Sequence, residues 1–519
     1  MFSRRLFLSS VGAGAATTAL TAPSIIRAQS LFREFPFSLG IASGEPSADG
    51  FVIWTRIAPE PLDAHGGMGM APLPVQWEVA SDDRFTTIVA RGEAIARPEL
   101  AHSVHVEVTG LEADRPYWYR FTAGGERSFR GQARTLPRAE ADVARLKFGV
   151  AGCQNYEDGY YGAYRHLARE EGLAFVYHYG DYIYEYRGSP TGASWWSGGI
   201  NVPVREVIGQ VCMDVGDYRL RYAQAKMDVD LQRAHAAHTF VTSYDDHEIA
   251  NNWVQDIDPG GADPAIFAMR RAGAFQAWYE HMPVRLSSLP RGGVVGHYRA
   301  LRYGKLAEID ILNTRLYRTD QPCGDGFKPR CDGVDDAQAA VLGAEQEAWL
   351  TRNLIRNQAQ WNCLAQQIMM MSLDRRRRPE EPARVMNLDS WAGYEVPRQR
   401  MLARMEGLNN VVVLTGDEHQ NFAGLLTHRD QIVGAEFVAT SISSGGDGSD
   451  LRSGSDVFLT NNPEVKFIND QRGYLTCEVT PDAWATHFNV VDRVSSSNNQ
   501  LSRRATATVA HGAPGIVIS

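Results

Sequence analysis

Three clusters of metal-ligating residue types each follow a short apolar run. Gly180-Asp181-Tyr182-Ile183-Tyr184 follows residues 175–179, Asp245-Asp246-His247-Glu248 follows residues 239–243, and Gly416-Asp417-Glu418-His419 follows residues 411–414. An open α/β sheet sets the carboxyl ends of neighbouring strands side by side, so ligands placed there converge on one crevice. This pattern points to metal-dependent hydrolysis, in which cations polarise a phosphoryl or carbonyl oxygen and activate water. Asp181, flanked by glycine so that a metal can approach the backbone, suits a carboxylate bridging two cations. Asp246 and His247 offer a hard oxygen and an imidazole side by side. Asp417 and His419, at i and i+2, project to one side if the backbone stays extended. Asn251 and Asn252 add carbonyl oxygens suited to a hard ion such as calcium. Taken singly, a strand-end Asp is more often a helix cap or turn residue. Three such clusters in one domain favour a shared site.

The surrounding pattern supplies the elements that would hold them. From residue 146, strand-like runs at 146–151, 175–179, 239–243, 309–312, within 361–371 and at 411–414 alternate with helix-like segments. One helix is expected at about 163–171. Another is expected over 337–358, where Val341, Leu342, Trp349, Leu350, Leu354 and Ile355 recur at helical spacing. The tail from about 473 alternates as strands again. Together these predict a layered α/β (α+β) domain spanning 146–519. Before it, residues 36–138 carry strand-like runs at 51–56, 75–79, 102–108 and 116–121, with Tyr117 at a corner after Leu111. That spacing predicts a small β-sandwich of the fibronectin/Ig type with a structural or lid-supporting role.

At 519 residues the chain is long enough for two or three domains. A net charge of −9 implies no basic surface, so nucleic-acid binding is disfavoured. Six cysteines are too few for a disulfide scaffold. Cys323 and Cys331 are close enough for a local disulfide, and Cys363 and Cys477 sit in strand-like runs as core residues. Residues 1–28 resemble a twin-arginine signal peptide: Ser3-Arg4-Arg5-Leu6-Phe7-Leu8, a weakly apolar run at 11–20, and a cleavage position after Ala28. The run is too short to span a membrane. The expectation is a periplasmic or secreted protein, exported folded by the twin-arginine machinery and without a stable membrane span.

Cys153, the Gly180–Tyr184 motif, Asp245-Asp246-His247-Glu248 with Asn251-Asn252-Trp253, Asn313-Thr314-Arg315-Leu316-Tyr317-Arg318, Asp389-Ser390-Trp391 with Gly393-Tyr394, and Gly416-Asp417-Glu418-His419 occur in that order. In this combination the sequence resembles the PhoD-type alkaline phosphatases of the calcineurin-like metallophosphoesterase superfamily. Phe37-Ser38-Leu39-Gly40 and Trp54-Thr55-Arg56 resemble that family's N-terminal β domain. The resemblance implies a phosphoric ester hydrolase acting on phosphomonoesters, with phosphodiesters as a further class, through a metal-bound hydroxide. It implies Fe3+ and Ca2+, two of the latter, as cofactors. Asp181 would bridge, Cys153 and Tyr184 would ligate ferric iron, and Asp246, Asn251 or Asn252, Asp417 and His419 would complete the set. His247 would act as a general acid or hydrogen-bond donor, and Arg315 would hold phosphate or a neighbouring carboxylate.

Two positions depart from the family pattern. Asn313 stands where Asp is usual, and Ala392 replaces a second Asp after Trp391; either bears on the number of cations. Three competing readings stay open. One is a phosphodiesterase or phospholipase D-like activity on the same scaffold. Another is a non-catalytic exported binding protein. The third, a di-iron purple acid phosphatase, is disfavoured because Gln366 and Gln367 stand where a histidine would be needed.

Overall fold

The computed structural model describes residues 31–63, 65–188, 203–381, 383–408 and 410–519. The expected signal segment, residues 1–28, lies outside them. Within the described residues, two large sheets dominate. The first has ten strands, and its centre is a parallel set of Leu146–Ala151, Val176–His178, Thr239–Thr242 and Ile41–Ser47. Antiparallel strands extend it on both sides, Gly473–Val479 next to Leu146–Ala151 and Gly50–Arg56 next to Ile41–Ser47. The second has seven strands around the parallel set Ala307–Ile311, Trp361–Ala365, Val411–Thr415 and Gln431–Val438.

The two sheets pack face to face. Phe148, Val150, Tyr177 and Val241 from one meet Ile309, Cys363, Val412 and Leu414 from the other. Helices cover both outer faces. Tyr218, Tyr222, Leu231 and Trp278 pack on the first sheet, and Leu350, Leu354 and Leu402 on the second. A strand buried on both faces reads as a continuous apolar run, which is why Val411-Val412-Val413-Leu414 shows no alternation. The layered α/β domain expected from the pattern is thus built on two stacked sheets rather than on a single open one. The strand ends that carry the motifs belong to two stacked sheets, and the crevice lies where the ends of both meet.

The N-terminal strands form two layers, with Ile41, Phe51, Ile53 and Val108 facing Val75, Val79, Tyr119 and Phe121. Leu73–Ala80 and Pro116–Ala123 belong to a separate five-stranded sheet. Tyr117 ties the expected corner, its hydroxyl accepting the Glu112 N–H at 2.9 Å. The other layer is not separate: Ile41–Ser47 pairs in parallel with Thr239–Thr242, with Ser43 opposite Thr239. One sheet thus runs unbroken from this region into the strands that carry the motifs.

Helix boundaries differ from the pattern-based reading. The helix expected over 337–358 is Gly343–Arg356. Val341 and Leu342 are buried ahead of it, and Ile355 is exposed. The expected segment at 163–171 is the short helix Gly162–Leu167. Five further helices, Val215–Lys226, Val229–Ala237, Pro264–His281, Glu395–Met405 and Ser455–Asn461, had no sequence reading. The first two begin at Asp214 and Asp228, whose carboxylates accept backbone N–H groups of the first turn. No helix among the described residues is long and apolar enough to cross a membrane.

Candidate metal centre

The motif-bearing strands end around one cleft of about 1120 Å3, lined by Asp181, Tyr184, Asp246, His247, Asp417 and His419, among others. Cys153 follows Leu146–Ala151, Asp181 follows Val176–His178, Asp246 follows Thr239–Thr242, and Asp417 follows Val411–Thr415. Each chain must turn sharply on leaving its strand. Cys153, Asp181, Asn252, Asp417 and His419 have φ of 51°, 55°, 54°, 65° and 51°. Left-handed backbone is costly for residues with a Cβ and persists only where surrounding structure enforces it. The enforcement is visible. Cys153 N–H donates to Gly180 O at 3.0 Å and Gln154 N–H to Asp181 O at 2.9 Å. Glu248, buried behind the loops, accepts the N–H groups of Asp181 and Asp245 at 3.0 and 2.8 Å and that of Tyr182 at 2.6 Å.

Two expectations are corrected here. The backbone between Asp417 and His419 is not extended; both residues are left-handed, and that turn, not strand alternation, aims them into the cleft. Gly180 does not leave room for a metal at the backbone. A Cβ there would lie 2.4 Å from Asp245 N, so the glycine permits two strand-end loops to touch.

The donor groups converge in three overlapping sets. Cys153, Asp181 and His419 place one candidate donor atom each within 4.8 Å of one another, as do Asp181, Asp246 and His247, and Asp245, Asp246 and Asp417. Cys153 Sγ is 3.2 Å and Tyr184 Oη 3.0 Å from the same atom, Asp181 Oδ2, and Tyr184 Oη is 3.1 Å from His419 Nε2. Asn251 and Asn252 both line the cleft. Asn252 N–H donates to Asp246 Oδ2 at 2.7 Å, and its amide contacts Asp325.

This concentration of carboxylates resists ionisation. Burial, then neighbouring carboxylates, push Asp181 and Asp417 well above the usual range, and Asp245 is pushed up to about 6. Burial, reinforced by Asp181, likewise raises Cys153 and Tyr184 far above their ordinary values. His419 is lowered to about 3 by burial and then by Arg472. Burial also opposes charge on Asp246, but Arg315 and His247 outweigh it and keep that carboxylate ionised. Asp245 Oδ2 and Asp246 Oδ1 are buried without a hydrogen-bond partner among the described residues. Thiol, phenol, imidazole and carboxylates so arranged fit multivalent cations, which would supply the missing positive charge.

Arg315 and His247 differ from the rest. The Arg315 side chain has no solvent exposure and is spread over Asp245, Asp389 at 2.7 Å, Asp417 at 3.3 Å and Asp246 at 3.4 Å. Its charged contacts are these four carboxylates, and it is not among the residues that line the cleft. His247 stacks on Tyr184 with ring centroids 4.1 Å apart. Its Nδ1 is 2.7 Å from Glu185 Oε2, and its Nε2 is 3.9 Å from Asp246 Oδ2. Burial works against its charge, but Asp246, Glu185 and Asp181 hold the imidazolium well above the ordinary range.

Both departures lie off the ligand sets. Asn313 Oδ1 accepts the N–H groups of Arg315 and Leu316 at 3.1 and 3.0 Å, the work of a turn residue. Ala392 packs on Val334, Met386 and Leu388. Gln367 locks strand ends together, accepting from Thr314 and donating to Ser243 Oγ and Leu312 O. Cys323 and Cys331 form a disulfide. The sequence reading missed Glu185 and Ser444. Ser444 Oγ lies 2.7 Å from both Tyr184 Oη and Cys153 O. Glu185 directly follows Tyr184, and that adjacency was its one available signal.

The model of the PhoD-like phosphatase family matches residues 148–488, and that of the PhoD-like phosphatase N-terminal domain matches 21–137. The chain belongs to the PhoD-like phosphatase family. Alkaline phosphatase D of Bacillus subtilis (strain 168) is 44% identical, over 97% of this chain and 87% of that protein. A solved structure of PhoD shares 43% identity, covers 94% of this chain and 92% of its own, and superposes with a TM-score of 0.89. Purple acid phosphatase PPD1 from yellow lupin (Lupinus luteus) seeds shares the fold at a TM-score of 0.54, with 11% identity over 91% of this chain and 74% of its own. This PhoD-like chain is thus a metal-dependent phosphoester hydrolase built on a metallophosphoesterase fold.

Proposed function

We propose that the cleft holds one Fe3+ and two Ca2+ and cleaves phosphomonoesters, with phosphodiesters as its second substrate class, in a protein exported folded to the periplasm or beyond. The observation carrying this reading is the convergence of Cys153 Sγ and Tyr184 Oη on Asp181 Oδ2. A thiolate and a phenolate are anionic donors that favour the higher oxidation state of iron. His419, beside Tyr184, would join them. Asp246, Asp417 and an Asn251 or Asn252 oxygen are the hard set that calcium prefers, and Asp181 would serve both sides.

When bound, such cations polarise a phosphoryl oxygen and lower the pKa of water. The chain's own part is orientation and proton delivery. Glu185 accepts from His247 Nδ1–H, which leaves Nε2–H as the donor toward the cleft. His247 thereby supports charge on the ester oxygen as the bond to phosphorus breaks. The paired arginines and short apolar run of residues 1–28 support export by the twin-arginine machinery, which carries folded proteins.

The test is metal analysis of folded, exported protein beside hydrolysis of a phosphomonoester and a phosphodiester. Iron and calcium with hydrolysis abolished in a folded Asp181→Ala variant support the reading. Iron-free protein with full activity would sink the ferric assignment, and an active Asp181→Ala variant would sink the bridging role.

A further inference from the structure

Four arginines, Arg375-Arg376-Arg377-Arg378, are consecutive in the sequence, and two of them, Arg375 and Arg377, line the cleft without taking part in the donor sets. They alternate in direction. Arg376 is held by Asp374 at 2.6 Å and Arg378 is largely exposed, whereas Arg375 and Arg377 line the cleft together with Arg452. Two of these three are neutralised, Arg375 by Glu418 at 2.5 Å and Arg452 by Asp470 at 2.7 Å. Among the described residues, Arg377 has no carboxylate within ion-pair distance of its guanidinium. Glu381 meets only its backbone N–H, at 3.2 Å.

Arg377 is nevertheless held in place. Its guanidinium carbon sits 5.3 Å from the centre of the Phe458 ring, and Nη1 makes long contacts of 3.5 Å to Ser453 O and 3.4 Å to Ser455 Oγ. Gly454, at φ 75°, lets the neighbouring loop close on it; a Cβ there would lie 2.3 Å from Arg377 O. Burial, then Arg452 and Arg375, depress its guanidinium below the ordinary arginine range. A fixed, half-buried cation beside two others, with donors to spare, is an arrangement that an anion relieves.

We infer that Arg377, flanked by Arg375 and Arg452, forms an anion subsite that takes a second phosphate of the substrate. The inference rests on the phosphoester hydrolase reading and deepens it: an ester carrying a second phosphate is preferred over a simple phosphomonoester.

The test measures kcat and KM for phosphate release from thymidine 5′-phosphate and thymidine 3′,5′-bisphosphate, using the metal-loaded full chain. The wild type should prefer the bisphosphate by about tenfold or more in kcat/KM, chiefly through KM. Arg377→Ala should bring that ratio close to one, and Arg377→Lys should retain part of it. If the alanine variant unfolds, Arg377→Gln, which keeps a long side chain over Phe458, carries the same comparison. A wild-type ratio near one, or an equal loss on both substrates in the variant, overturns the subsite. Absence of phosphate release from either substrate in the wild type would instead overturn the hydrolase reading beneath it.

Discussion

Glu185 Oε2 lies 2.7 Å from His247 Nδ1, while Oε1 of the same carboxylate accepts the Asn251 N–H at 2.7 Å. One side chain therefore sets the tautomer of the candidate acid and the position of a candidate ligand segment. Partners of this kind outside the ligand set typically contribute about 10–100-fold to activity. Glu185→Gln should lower kcat by about that factor with little change in KM or metal content. Glu185 also raises the His247 pKa, so the alkaline limb of the kcat profile should move to lower pH in the variant. A pH–rate profile of both proteins checks this, and an unmoved limb would show that His247 does not set it.

Tyr184 and Cys153 meet the same oxygen of Asp181, so a ferric ion there would take both as ligands. Iron-loaded protein should then absorb visible light through phenolate-to-iron charge transfer. Tyr184→Phe should abolish that band, and Cys153→Ser should lower iron content while sparing calcium. Absorption spectra with elemental analysis decide it. A band that survives Tyr184→Phe removes the phenolate from the site.

The strand-end clusters were legible because their chemistry dictates both residue type and place. Asp181, Asp246 and Asp417 each had to follow a buried run, and each does. The partner of a strand is not written in its own run, so one sheet and two stacked sheets read alike. The helix Pro264–His281 escaped notice because Arg270, Arg271, Glu280 and His281 are buried along with Phe267, Phe275 and Trp278. Charged residues interleaved with apolar ones around the helix erase the stripe that periodicity detects. Ser444 gave no signal, since a serine in a glycine-rich loop carries no mark of the phenol it will meet.

Arg315 is the hub of the carboxylates. Removing one partner of a fully buried ion pair typically costs about 3–5 kcal/mol, because the other charges remain without compensation. Arg315→Met should therefore destabilise the protein by about that amount when measured without metal. Added calcium should recover part of the loss, since cations at Asp246 and Asp417 would neutralise the same charges. Denaturant unfolding with and without calcium reads both. A metal-free variant as stable as wild type would mean that the carboxylates are protonated and the guanidinium is dispensable.

Lys226 lies at the end of Val215–Lys226, with its ammonium 4.3 Å from the Trp54 ring centre and 5.1 Å from that of Tyr182. Burial lowers its pKa from 10.5 to about 7. Between those values the unfolded chain binds a proton that the folded chain does not, so stability rises with pH across that window. Below it, both states are protonated and the cost of the buried charge is fully present, only partly offset by the two rings. Lys226→Met keeps the length of the side chain and removes the titration. The variant should be more stable than wild type at pH 7 by an amount on the order of a few kcal/mol, and the advantage should shrink as pH rises toward 10.5. Unfolding free energies at several pH values test this. An advantage that does not vary with pH would show that Lys226 stays charged in the fold, held by the Trp54 and Tyr182 rings.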